Sequence, residues 1–226
     1  MAIIKGKGQQ TTSVARVSEG ADVYLKALRD GTMTMADWVA ALSLEGRIFT
    51  ANAGTATTPI TFGSTGLSTT EFDFHVAVPS GSVIIPLDLR VEMEVFGTSY
   101  ITEIVMQSGK GSVVGAGTSI TPVCSNTNTG RTSSCTITAA ATTSSGTAFT
   151  SENKEIFRAG YVLSVTPATA GASGGTLPTV FTWRAKDSGI LDVVGPSAQI
   201  GIWASSQAGT GFICLKYAEL PYSAVS

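Results

Sequence analysis

The sequence predicts an all-β domain of two packed layers, an eight-stranded antiparallel sandwich preceded by a short helical amino-terminal arm. Three observations carry that expectation. Residues 83–95 alternate, with Val83, Ile85, Leu87, Leu89, Val91, Met93 and Val95 on one parity and Asp88, Arg90, Glu92 and Glu94 on the other. That period of two puts one strand face in a core and the other in solvent. From Arg47 onward helix signals vanish, and about eight strand-like segments follow one another with no helices between them. Several connections run near a dozen residues, which suits Greek-key and jelly-roll sandwiches better than barrels built on tight hairpins.

In chain order, residues 1–17 are polar and weakly basic, with Lys5, Lys7 and Arg16 ahead of the first acid, Glu19. They read as a flexible arm. Residues 18–46 read as two short helices. Ser18 or Asp22 opens the first, which runs to Arg29 and ends at Gly31. Thr34 caps the second, where Met35, Trp38, Val39 and Leu42 form one apolar stripe at i, i+3, i+4, i+7 and Gly46 is the stop. Residues 47–226 make up the sheet domain.

Within that domain a short strand is expected at 59–62. Over 72–78, Phe72, Phe74, Val76 and Val78 alternate with outward positions that include His75. Residues 79–81 turn the chain into 83–95, and 100–106 runs back beside it as a hairpin closed at 96–98. Residues 108–117 read as a glycine-rich loop, 119–124 and 134–140 as strands around a cysteine-bearing loop, and 141–151 as a surface excursion. Strands follow at 156–166 and 180–186, with a turn at 187–189. A last pair, 199–204 and 212–220, is joined through 206–210 and ends at Pro221.

Composition narrows the function. Charged residues are 13% of the chain, against about 25% in typical soluble proteins. Long uncharged runs at 48–70, 132–151, 159–183 and 193–215 are broken by Gly, Pro, Ser and Thr, so none reads as a membrane helix. A surface so poor in charge tends to associate, and we expect copies of the chain to cover one another. The net charge of −2 does not mark the whole chain for nucleic acid. Residues 1–10 lack an apolar segment, so no secretory signal is expected. Three cysteines are an odd count. Cys124 and Cys135 bracket a polar loop and either pair under oxidising conditions or stay reduced, while Cys214 reads as a small buried residue.

Reactive constellations are few. His75 is the sole histidine, and no Gly-x-Ser-x-Gly elbow accompanies it, so it reads as an ordinary surface histidine. Gly109-Lys-Gly-Ser-Val-Val-Gly115 lacks the order of a phosphate-binding loop and reads as a turn region. Asp88, Glu92 and Glu94, with Glu103 across the expected hairpin, offer oxygen ligands to a hard cation at a subunit junction. Arg90 on the same face favours charge pairing instead. No zinc spacing, cofactor motif or small-molecule substrate site is expected. The candidate genome contacts are Lys5, Lys7 and Arg16. Three charges release about three counterions, a weak and salt-sensitive attraction.

Three stretches resemble a known family: Leu28-Arg-Asp-Gly with Asp37-Trp-Val-Ala-Ala-Leu-Ser-Leu-Glu-Gly; Asn52-Ala-Gly-Thr-Ala-Thr-Thr-Pro-Ile-Thr-Phe-Gly with Val78-Pro-Ser-Gly-Ser-Val-Ile-Ile-Pro-Leu; and Trp203-Ala-Ser-Ser-Gln-Ala-Gly-Thr-Gly-Phe-Ile with Tyr217-Ala-Glu-Leu-Pro. Together, from about residue 28 to 221, they are similar to the single-jelly-roll capsid proteins of small icosahedral viruses, particularly bacteriophage-like ones known mainly from environmental sequences. The resemblance implies an eight-stranded jelly roll, subunits that tile a closed shell through pentamers or hexamers, contacts with other virion proteins, and an arm turned toward the genome. It implies synthesis in a host cytoplasm and residence in the virion. Unlike many such proteins, this chain has no long Arg-rich arm. The stripe of Trp38, Val39 and Leu42 is expected to help clamp subunits, docking on a neighbour or under the sheet, because so short a helix is unstable alone. Two other classes compete. A virion decoration, tail-fibre or carbohydrate-binding sandwich would use exposed aromatics such as Trp183 or Trp203, and a hydrolase would depend on His75.

Overall fold

The computed structural model describes residues 37–62, 70–95, 101–112, 114–143, 149–162, 179–204 and 209–225. Helix α1 (Trp38–Leu44) comes first. Asp37 caps it by accepting from the Val39 N–H, so the cap falls three residues later than Thr34. Thr34, Met35 and the first expected helix lie outside the described residues. At the other end Gly46 is left-handed, at φ 69°. The Gly46 and Arg47 N–H groups return to Ser43 and Leu42, a paired closure that only a residue without a Cβ enters cheaply.

Among the described residues twelve strands follow, where eight main strands were expected. They are β1 (Ile48–Ala53), β2 (Ile60–Thr61), β3 (Glu71–Ala77), β4 (Ser82–Val95), β5 (Ile101–Lys110), β6 (Val114–Ile120), β7 (Val123–Cys124), β8 (Thr136–Thr143), β9 (Ser151–Val162), β10 (Val180–Arg184), β11 (Gln199–Ala204) and β12 (Thr210–Pro221). A one-turn helix, α2 (Ala185–Ser188), occupies the turn expected after β10 and ends at left-handed Gly189. The first sheet has the order β10-β4-β12-β1-β7, with β2 also on β12. The second runs β6-β8-β3-β11-β5-β9. All pairings are antiparallel. The chain is thus an all-β sandwich, and its main core draws Phe49, Leu89, Ile213, Leu215 and Tyr217 from the first sheet and Phe74, Ile104, Met106, Ile137, Ile200 and Ile202 from the second. Each such side chain withdrawn from water stabilises the fold by roughly 1.5–3 kcal/mol.

The expected hairpin of β4 with β5 does not form, because these strands lie in opposite sheets. The reason is coverage: β4 carries a long apolar face, and β5 supplies Ile104 and Met106 to the layer opposite it instead of extending the same layer. The same holds for the expected last pair, since β11 sits in the second sheet and β12 in the first. Residues 108–117 are mostly strand, for β5 reaches Lys110 and β6 begins at Val114. The expected excursion at 141–151 is also shorter, with β8 continuing to Thr143 and β9 starting at Ser151.

The alternation in β4 changes hands midway. Lys216 pairs with Asp88 and Tyr217 with Pro86, which leaves Leu87 as an extra residue, a bulge. A bulge reverses which parity faces the core. Beyond it Leu89, Val91 and Met93 join Ile84 in the main core, whereas Ile85 belongs to a separate cluster with Ile48 and Ala218. The unbroken odd-numbered face read from the sequence is therefore two half-faces on opposite sides of one sheet.

Candidate functional site

The cluster of Ile48, Ala218 and Ile85 is a row across β1, β12 and β4. Val39 and Leu42 of α1 pack on it, together with Leu87 and Leu220. The amphipathic stripe is thus used, at least in part, on the chain's own sheet. Trp38 stays 39% exposed. Between α1 and the segment after β10 lies a cleft of about 620 Å³, walled by Trp38, Val39, Ile48, Leu87 and Leu191 and rimmed by Asp88, Arg184, Lys186 and Lys216. Arg184 pairs with Asp88 at 3.3 Å.

The acidic face does not converge. Arg90 Nη2 lies 2.7 Å from Glu92 Oε2, while Glu103 is on the second sheet and meets Arg158 at 3.4 Å. Glu103 therefore cannot join Asp88 and Glu92 as the sequence suggested. No group of three or more His, Cys, Asp or Glu residues suited to a metal ion occurs among the described residues.

His75 is not a surface residue. Its strand, β3, is covered on both sides, and only 2% of His75 is exposed. A second, smaller core of Phe72, Val105 and Trp203, with Val114 and Phe149 against it, buries positions expected to meet solvent. The Phe72 ring lies 5.0 Å from the imidazole and 4.9 Å from the Trp203 ring. It rests on Gly201, where a Cβ would stand 2.4 Å from the ring. Burial pushes the imidazole down to about 4, against a smaller opposing effect of a hydrogen bond with Gln199. Nε2 has no partner. Trp183 and Trp203 are both buried, at 8% and 5% exposure, so neither offers an exposed binding platform.

The cysteines are free thiols in this structure, Cys124 and Cys135 buried and Cys214 half-buried. Burial, reinforced by the Glu219 charge, pushes the Cys135 thiol up to about 12.

One constellation gave no sequence signal. Glu219 on β12 accepts from Ser133 Oγ at 2.5 Å, from Ser134 Oγ at 2.6 Å and from the Ser134 N–H at 3.0 Å. Tyr217 O–H and the Cys135 N–H also meet Ser133 Oγ, at 2.8 and 3.1 Å. This knot ties the loop between β7 and β8 to the end of the first sheet. Beside it Arg47, 5% exposed, donates to Glu45 at 3.3 Å, and burial together with nearby Arg131 lowers its pKa. The partners are 84 to 86 residues apart, so no local pattern could announce them.

Lys5, Lys7 and Arg16 lie outside the described residues. The exposed large apolar side chains include Ile190 (71%), Val193 (51%), Leu44 (77%), Val95 (53%) and Val162 (68%). No helix among the described residues is long and apolar enough to cross a membrane. No protein-family model, curated protein or solved structure matches the chain.

Proposed function

We propose that the chain is a capsid subunit of a small icosahedral virus, a jelly roll whose copies tile a closed shell. The observation that carries the reading is strand order. Without the two-residue strands β2 and β7 and the pair β6 and β8, the two sheets read β10-β4-β12-β1 and β3-β11-β5-β9. The first and last strands then lie side by side, and consecutive strands alternate between layers except β5 and β9, which pair within the second sheet, the interleaving that two Greek keys produce in a jelly roll. β6, β7 and β8 form one insertion between the fourth and fifth of the eight.

Three further features favour a structural role. Exposed Ile190 and Val193, close to the edge strand β10, offer apolar surface for a neighbour. The scarcity of charge suits flanks buried in permanent contacts. His75 is shut inside the second sheet, which weakens a hydrolytic reading. Lys5, Lys7 and Arg16 supply at most a weak, salt-dependent pull on the genome, multiplied by copy number in a shell. Negative-stain microscopy and light scattering of the purified protein test the proposal. We expect closed particles or capsomers from the natural sequence. The double variant Ile190→Asp/Val193→Asp should fold and remain monomeric. A natural chain that stays monomeric at high concentration would overturn the proposal.

A further inference from the structure

We infer that the cleft on the outer face of the first sheet seats residues 21–28 of the same chain. The inference concerns one subunit and does not depend on shell formation. Asp37 and Trp38, the first described residues, line the cleft, so the 36 residues before them reach the sheet at its mouth. Within those residues Ala21, Tyr24, Leu25 and Leu28 fall at i, i+3, i+4 and i+7, a single apolar stripe with Asp22, Lys26 and Arg29 off it. A helix that short does not persist in water without a surface to pack on.

The cleft offers that surface. Its walls are mostly apolar, through Trp38, Ile48, Leu87 and Leu191. Its volume of about 620 Å³ has room for several large side chains. Lys186 and Lys216 stand on its rim, and neither is in an ion pair among the described residues. Glu19, just ahead of the segment, and Asp22 within it carry the complementary charge. The reach is sufficient. Residues 29–36 extend to roughly 27 Å and contain Gly31, which lets the chain reverse. An eight-residue helix is only about 12 Å long. A tether this short holds the segment at an effective concentration of millimolar order, which favours its own cleft over a neighbour's.

Tryptophan quenching tests the seat directly. Of the three tryptophans, Trp183 and Trp203 are buried and Trp38 lines the cleft. In the full chain at sub-micromolar concentration, acrylamide should leave nearly all the emission unquenched. Leu25→Asp/Leu28→Asp should release a quenchable component of up to about one third, which Trp38→Phe in that background removes. Equal quenching of the natural chain and the double variant would overturn the inference. So would protection that disappears on dilution, since a second copy would then be the occupant. If the aspartates unfold the protein, a cysteine pair decides. Leu28→Cys/Leu191→Cys should close an intrachain disulfide on mild oxidation. A disulfide-linked dimer, or no bond, counts against the seat.

Discussion

Lowering the pH from 7 to 5 should weaken the fold by about 2 kcal/mol through one side chain, His75. In the unfolded chain its imidazole titrates near 6.5, and in the sandwich near 4. At pH 5 the unfolded state therefore binds a proton that the folded state refuses. A pKa depressed on folding makes stability full above the unfolded value and progressively lost as pH falls toward the folded one. The slope approaches about 1.4 kcal/mol per pH unit within that window, giving about 2 kcal/mol at pH 5 and about 3 below pH 4. With only 2% of the residue exposed, solvent screening removes little of this. The control is His75→Phe, which keeps a ring against Phe72 and cannot titrate. Urea unfolding of the dissociated subunit at pH 7, 6 and 5, followed by tryptophan fluorescence, gives the two slopes. Subtracting the variant's slope removes the contribution of the carboxylates. Identical slopes for natural chain and variant would show that the imidazole is solvated, and the argument from burial would fail.

Gly211→Ala should cost about 3 kcal/mol or more, because its Cβ would stand 2.0 Å from the Glu92 carbonyl oxygen and force β12 from β4. Gly130→Ala, at φ 59° with nothing within 4 Å, should cost only about 1 kcal/mol, and equal losses in a denaturation series would contradict the packing. Glu219→Ala should cost about 2 kcal/mol by removing the charged acceptor of the Ser133 and Ser134 hydroxyls and the Ser134 N–H, and trypsin should then cut faster after exposed Arg131, a rate read on gels. In the native protein at pH 8, a thiol reagent should label half-buried Cys214 before buried Cys135. Peptide mass spectrometry showing Cys135 labelled first would refute that order.

Much of the layout is legible in the chain. The alternation of β4, the Gly46 stop of α1 and the ends of β11 and β12 all rest on short-range chemistry, namely a period of two, a left-handed C′ residue, and a terminal proline at Pro221. Where the reading failed, the deciding contact was remote. His75 looks like an outward residue on β3 until Phe149, which precedes β9 and lies against Gly109 of β5, joins Phe72 and Trp203 over that face. The stripe expected to help clamp subunits shows a similar division: Trp38, Val39 and Leu42 announce an apolar face, but only the folded sheet shows Val39 and Leu42 engaged and Trp38 left at a cleft.

By itself the sequence determined that this chain is a β protein with little surface charge and a capped helix ahead of its sheets, because propensity, periodicity and capping act within a few residues. The tertiary structure alone decided which layer each strand joined, where the bulge at Leu87 reversed the faces of β4, and how Glu219 bound a loop more than eighty residues away. Strand partners are chosen by which faces must be hidden from water, and that choice is made only when both sheets are present at once.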